Sequence, residues 1–410
     1  MKYKEKKFFE SILKKSRKIS KNKKEYPLTL DNPIDVDDLM KAIEVILSGQ
    51  ITMSEITKKF EIEFAKFVGT KYALMVNSGS SANLLAFFSI INPLQKQKVN
   101  FGSECIIPGL CWSTSLWPVV QSNLVPKFVD IDFETFNLDI KKIEEEITNK
   151  TKVVCAVHIL GNSTNMSKLT EIVKDKGLIL IEDSCESLGS KYKNKYLGTF
   201  GKFGTYSFYV SHQITSGEGG MLVCNDFEDY KIAHQLRAHG WDRGFEKDKN
   251  NKFNFINSGF NLRPTDISAA IGYSQFKKLN KFKKIRQQNR NKIISSLINS
   301  KNWNNQFSFL EPIENLQPSW FGFPIILRKD LVRKKSQLLE KLKRKNIETR
   351  PIISGNFLNQ PSISLYNLNS EKKVLENCQE LEDRGFFIGL HTIPISKENL
   401  NHLTNNLLEI

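Results

Sequence analysis

KVVCAVHILGNSTNMSKLTEIVKDKGLILIEDSCESLGS, residues 152–190, carries the pattern that decides the fold. It opens on a near-continuous apolar run, KVVCAVHIL (152–160), which reads as a buried strand. MSKLTEIVKDK (166–176) then reads as a helix, and LILIED (178–183) as a second apolar strand ending on Asp183. Strands apolar on both faces and joined through a helix belong to a largely parallel sheet covered on both sides.

The same alternation extends in both directions. YALMV (72–76), ECIIP (104–108) and VPKFVDID (125–132) read as strands, with helices expected at 81–90 and around 112–122. GTYSFYV (204–210) and GGMLVC (219–224) complete a β-rich stretch. Upstream, residues 35–69 space their apolar positions helically, through Leu39, Ile43, Ile46, Leu47, Ile56, Phe60, Phe64 and Phe67, with Gly69 as a C-cap. Downstream, 266–300 reads as a long basic helical stretch, PSWFGFPIILR (318–328) as a strand, and the chain to about 345 as a helix. The expectation is an α/β protein with a basic N-terminal tail (1–30), a large domain (31–285) and a smaller C-terminal α/β domain (286–410). In such sheets ligands collect at the carboxyl ends of the strands, where Asn77–Ser81, Asp183–Ser187 and Ser207–Thr215 fall.

With 410 residues, 40% hydrophobic and 25% charged, the chain has globular composition and length for two or three domains. No apolar run approaches the roughly 18 residues of a membrane span, and the basic N-terminus lacks the apolar segment of a secretory signal. The expected location is the cytoplasm. Six cysteines without a CxxC pair argue against a zinc ribbon or an iron–sulfur cluster. The formal charge of +16 is concentrated partly in the first 24 residues, where Phe8, Phe9, Ile12 and Leu13 fit one face of a short basic helix. Such a helix suits anionic lipid or a partner, or is simply solvated. Aromatics do not interleave the lysines as a nucleic-acid platform requires, so no nucleic-acid partner is expected.

Three clusters carry chemistry. NSGSSAN (77–83) places small residues where a helix begins, which suits phosphate and equally suits an ordinary N-cap. In IEDSCESLGS (181–190), Asp183 ends an apolar strand, where a carboxylate needs a partner; a pyridinium N–H fits, as does a structural ion pair. SFYVSHQITSGEGG (207–220) surrounds His212 with hydroxyls and glycines, and histidine suits proton transfer near neutral pH.

Taken in order, NSGSSAN, CWSTSLWP (111–118), HILGN (158–162), EDSCESLG (182–189), SFYVSHQITSGEGGM (207–221) and GFNLRPTDISAAIG (259–272) resemble the DegT/DnrJ/StrS family of sugar-nucleotide aminotransferases. The resemblance is dense over 33–285 and weaker beyond. It implies a fold type I PLP-dependent transferase, a three-layer α/β/α arrangement binding pyridoxal 5'-phosphate or pyridoxamine 5'-phosphate. It also implies site roles: Gly79, Ser80 and Ser207 for the phosphate, Trp112 on the ring face, Asp183 at the ring nitrogen, Glu186 near the ring hydroxyl. Asn261 would reach in from a second subunit, which implies a homodimer with shared active sites.

One position departs from the aminotransferases. Their SFxxxK motif supplies the Schiff-base lysine, and here that slot is His212. Histidine there resembles the family's 3-dehydratase branch, which removes a hydroxyl from a nucleotide-linked keto sugar. One type in the branch holds an iron–sulfur cluster on cysteines after this motif, yet residues 237–261 contain none. RAHGW (237–241) and GNFLNQP (355–361) look closer to the cluster-free, colitose-pathway type. The implied reaction takes the C3 hydroxyl from a 4-keto-6-deoxy sugar, with GDP-4-keto-6-deoxymannose expected. Glutamate is the implied amino donor, ammonia and 2-oxoglutarate are released, and the 3,6-dideoxy product would serve lipopolysaccharide O-antigen. The competing readings are an aminotransferase using another lysine such as Lys202, and a non-catalytic cofactor-binding regulator. Arg350 is a candidate for a nucleotide phosphate or a substrate carboxylate.

Overall fold

Strand β1 (Tyr72–Val76) sends Leu74 and Val76 to one apolar layer and Ala73 and Met75 to the other. This two-sided burial recurs in β2 (Glu104–Pro108), β3 (Val125–Val129), β4 (Thr151–Val157) and β5 (Ile179–Asp183). A small hairpin, β6 (Lys191–Tyr192) and β7 (Lys195–Tyr196), precedes β8 (Phe203–Ser207) and β9 (Gly220–Cys224). In the computed structural model, which describes residues 3–18, 25–29, 33–245, 253–369 and 372–409, seven of these form one sheet in the order β1-β9-β8-β5-β4-β2-β3. Neighbours from β8 to β3 run parallel, while β9 runs antiparallel to both β1 and β8.

Helices α1 (Tyr3–Lys18), α2 (Val36–Ser48) and α3 (Glu55–Val68) lead into the sheet. Gly69 ends α3 at φ 82°, its N–H bonded to Ala65 O, as its place in the apolar pattern predicts. In α1, Phe8 and Ile12 are exposed while Phe9 and Leu13 are half-buried, so the four do not share one environment. Lys6 ties α1 to α2 through Asp37 at 2.7 Å. Helices α4 (Gly79–Ile90) and α5 (Ser113–Gln121) cover one face of the sheet. Helices α6 (Ile140–Glu146) and α7 (Met166–Asp175) lie on the other. Helix α8 (Phe227–Arg237) joins the first face, and α9 (Asp266–Phe276) packs with α3 on the second. Helices on both faces of a mostly parallel sheet make the three-layer arrangement of fold type I.

Two sequence expectations shift in detail. The stretch 266–300 is two helices, α9 and α10 (Leu279–Ile298), separated at Lys277 and Lys278, and Lys278 pairs with Asp35 and Asp38 at 2.7 and 2.6 Å. The strand expected over 125–132 stops at Val129. Asp130 instead accepts the N–H groups of Asn377 and Cys378, and Asp132 those of Glu134 and Thr135.

Helix α10 runs without interruption across residue 286 into the C-terminal part. There β10 (Phe307–Ser308), β11 (Leu316–Gln317), β12 (Gly322–Leu327), β13 (Thr349–Arg350) and β14 (Gly385–Gly389) follow. Four of them form an antiparallel sheet, β10-β12-β14-β13, while β11 pairs with β6 of the large sheet's connection. Among the described residues no helix is long and apolar enough to cross a membrane.

Candidate active site

The carboxyl ends of β1, β2, β5 and β8, with the amino end of the reversed β9, converge on one edge. There α4 begins. Ser78 caps it, its hydroxyl accepting Ser81 N–H at 3.1 Å, and the first N–H groups of the helix precede any i→i−4 bond. Such an end attracts an anion through both its donors and its dipole. Gly79 lies so close to β8 that a Cβ would sit 2.6 Å from Ser207 Cβ and 2.9 Å from Cys185 Sγ. Across the same gap, a Cβ on Gly220 would meet Ser78 O at 2.4 Å. Ser80 bonds Thr114 of α5 at 2.7 Å. Gly79, Ser80 and Ser207 are therefore brought into one cradle.

Asp183 closes β5 almost fully buried. Its Oδ2 accepts from Asn83 Nδ2 and from Ser115 Oγ, both at 2.7 Å, and its Oδ1 accepts the Cys185 N–H at 3.1 Å. Asn83 is in turn oriented by Thr205, whose hydroxyl donates to Asn83 Oδ1 at 2.6 Å. No Lys or Arg pairs with Asp183 among the described residues, which removes the structural ion pair left open by the sequence. A carboxylate buried on neutral donors keeps acceptor capacity for a cationic N–H.

Glu186, half-buried one turn on, accepts Leu160 N–H at 2.9 Å. Burial pushes its carboxyl up to about 8, with the Asp183 charge adding to the rise. Trp112 immediately precedes α5 and is 58% exposed, so its ring is open to a flat partner rather than packed in the core.

His212 lies at the tip of the connection between β8 and β9. The base of this hairpin is tied by Phe208 N–H to Gly219 O and Ser216 N–H to Phe208 O, each at 2.9 Å. The imidazole packs edge-to-face on Phe321 at 5.1 Å, with Tyr209 at 6.1 Å. Burial, with the Arg286 guanidinium adding to it, depresses the imidazole to about 3. Both effects favour the neutral ring. Gln213 donates to the carbonyls of Glu186 and Ser319, binding the tip to the Asp183–Glu186 segment.

Gly79, Ser80, Trp112, Asp183, Glu186, Ser207 and His212 thus lie on segments that meet at one edge. Asn261 is exposed, its amide oxygen accepting from Arg263 Nε at 3.0 Å, and no hydrogen bond joins it to the cradle of its own chain among the described residues. Arg350 is exposed on β13. Lys202 pairs with Asp229 at 2.6 Å before β8 begins, at the opposite end of that strand from Ser207. Sequence reasoning did not single out Asn83, Ser115, Thr205, Gln213 or Arg286. Asn83, Ser115 and Gln213 stood inside quoted motifs and Thr205 inside an expected strand, but nothing local marked them for these partners, and Arg286 lay outside every motif.

Against known proteins, the DegT/DnrJ/EryC1/StrS aminotransferase family profile matches residues 32–407. The GDP-4-keto-6-deoxy-D-mannose 3-dehydratase of Escherichia coli O55:H7 is 38% identical over 387 residues, 91% of this chain and 97% of that one. Among solved structures, E. coli GDP-4-keto-6-deoxy-D-mannose-3-dehydratase with bound hydrated PLP superposes with a TM-score of 0.86 at 35% identity, covering 94% of this chain and all of that one. A GDP-4-keto-6-deoxymannose-3-dehydratase with a trapped PLP-glutamate geminal diamine gives 0.83 at 36%, covering 93% and 100%. With the profile spanning nearly its whole length, the chain belongs to the DegT/DnrJ/EryC1/StrS aminotransferase family.

Proposed function

We propose that this chain is a pyridoxal/pyridoxamine phosphate-dependent 3-dehydratase of a nucleotide-linked 4-keto-6-deoxy sugar, GDP-4-keto-6-deoxymannose being the substrate assigned. The observation that carries the reading is His212: an imidazole stands at the hairpin tip where a transaminase needs a primary amine. Glutamate is the amino donor, on the support of the relative in which it is captured with the cofactor. The net reaction balances, since the oxygen lost from C3 is matched by the carbonyl oxygen gained when glutamate becomes 2-oxoglutarate and ammonia. The 3,6-dideoxy product fits colitose-type O-antigen assembly in the cytoplasm.

The residues present fit the cofactor. The Gly79–Ser207 approach leaves backbone N–H groups accessible at a helix start, and Asp183 is a buried carboxylate bonded to neutral donors. When bound, the cofactor supplies a protonated pyridine ring that takes up the electron pair released at the carbon being deprotonated. Gly79, Ser80 and Ser207 hold the phosphate, Asp183 keeps the proton on the ring nitrogen, Trp112 offers a flat face, and Glu186 lies by the ring hydroxyl. His212 moves the proton. One ring nitrogen removes the proton and passes it to the departing C3 hydroxyl. Imidazole forms no stable imine with an aldehyde, which turns the site from amino transfer toward elimination. No iron–sulfur cluster takes part in this scheme.

We assign the cofactor to the 31–285 domain, the sugar-facing wall to 286–410, and the functional unit to a homodimer in which Asn261 completes the partner's phosphate site. Exposed Phe253, Phe255 and Ile256 on the segment leading to Asn261 support that covering.

The test supplies purified protein with pyridoxal phosphate, glutamate and GDP-4-keto-6-deoxymannose. Equal yields of ammonia and 2-oxoglutarate, with a sugar one oxygen lighter by mass spectrometry, are expected. His212→Asn should abolish them while retaining the cofactor. An amino sugar without free ammonia would overturn the reading.

A further inference from the structure

Helix α10 lies against the His212 hairpin and presents a row of cations to backbone. Lys283 Nζ donates to Gly189 O at 2.8 Å, and Arg290 stacks on the Trp320 ring at 4.7 Å. Between them, Arg286 is almost fully buried and pairs with no carboxylate among the described residues. Burial lowers its guanidinium only to about 10, so the charge persists. Its donors all go to carbonyls: Nε to Leu390 O at 2.8 Å, Nη1 to Trp320 O at 3.4 Å, Nη2 to His212 O at 3.1 Å. Those carbonyls belong to three segments, one after β14, one before β12, one the hairpin tip. A buried unpaired cation is costly, and packing alone would be better served by an apolar side chain.

The other contacts of the tip lead to the same place. Phe321, against which the imidazole packs, follows Trp320, and Ser319 O accepts from Gln213. The tip is therefore held to the entry of β12 by the Gln213 hydrogen bond and the Phe321 ring, and among the described residues it is the Arg286 side chain that reaches the carbonyl of His212 itself. Its planar fork fixes several acceptors at once, which a flexible ammonium does not.

We propose that Arg286 is a positioning residue for His212, joining the hairpin tip to the C-terminal sheet so that the imidazole keeps one placement over the cofactor cradle. The proposal rests on the dehydratase reading only for its kinetic consequence.

The experiment compares full-length wild type, Arg286→Met and Arg286→Lys, each loaded with cofactor, for kcat and KM. In parallel, carbethoxylation of His212 by diethylpyrocarbonate is followed by peptide mass spectrometry at one pH in cofactor-free protein. Displacing a catalytic group by about 1 Å costs roughly 100-fold. Arg286→Met should therefore lose kcat on that order with KM within about twofold, and His212 should be modified faster. Arg286→Lys, which keeps the charge and one donor, should recover part of both and keeps the test open if the methionine variant does not fold. Unchanged kcat, or lost kcat with an unchanged modification rate at His212, overturns the proposal. Altered modification in a protein that shows no dehydration in any form would support the placement of His212 and sink the dehydratase reading instead.

Discussion

Asn83 and Asp183 are joined by a hydrogen bond whose direction is set from behind: Asn83 Nδ2 donates to Asp183 Oδ2 at 2.7 Å while Asn83 Oδ1 accepts the Thr205 hydroxyl at 2.6 Å. The amide cannot turn over without losing both, so Asp183 is presented in one orientation. Replacing Asn83 by Ala removes a charge-assisted bond worth about 1.5–3 kcal/mol. Cofactor affinity, read by fluorescence titration, should weaken roughly 10- to 100-fold. Unaltered affinity would mean Ser115 and the Cys185 N–H suffice to hold the carboxylate.

Gly79→Ala should damage fold and cradle together. The added methyl meets Ser207 Cβ at 2.6 Å and Cys185 Sγ at 2.9 Å, and overpacking of this kind costs about 1–3 kcal/mol. Adding Ser207→Gly relieves part of the contact. The double variant should regain melting temperature without regaining the affinity for inorganic phosphate or cofactor, because the Ser207 hydroxyl is gone. Full recovery of binding would remove Ser207 from the phosphate site.

Glu186 makes the cofactor-free protein sensitive to pH. Its carboxyl is held near 8 against 4.5 for the ordinary group. The unfolded chain therefore releases this proton first, and stability falls as pH rises from about 4.5 towards 8. Glu186→Gln stays neutral throughout. Melting curves between those limits should show the variant declining less than wild type, and parallel curves would contradict the assignment.

His212 should not titrate where histidines usually do. With the ring depressed to about 3, its proton resonances in histidine-labelled protein should stay flat from about pH 5.5 to 8. His212→Asn identifies which signals to follow. A midpoint near 6.5 that disappears in the variant would show that the tip opens to solvent.

Much of this was legible in the sequence wherever burial leaves a periodic mark. The apolar runs at 72–76, 104–108, 152–160 and 178–183 became strands because each is sandwiched between helices. The polar clusters after them lie at the site because strand polarity puts them there. What was hidden depends on pairing across distance. IED ends in two carboxylates, yet Glu182 faces away, taking His158 Nε2 and the N–H groups of Gly198 and Gly201, while Asp183 faces the cradle. Nothing local distinguishes them. Thr205 and Arg286 likewise look like any strand hydroxyl and any helix cation until the chain brings them to Asn83 and to the His212 carbonyl. The ion pairs of Lys278 were invisible for the same reason, since its partners Asp35 and Asp38 lie far away in the chain.

The reversal of β9 has a consequence for how such a protein changes its chemistry. Because β8 and β9 are antiparallel neighbours, the residue at position 212 hangs from a hairpin whose two legs are fixed inside the sheet. The start of α4 at Gly79 and the Asp183 carboxylate lie outside the hairpin, while Ser207 and Gly220 stand on its legs. A substitution at the tip can therefore exchange an amine for an imidazole, removing the covalent link a lysine would make, while the hydrogen bonds on Asp183 stay in place. The reacting group and most of the cradle are thus carried by different segments of the chain.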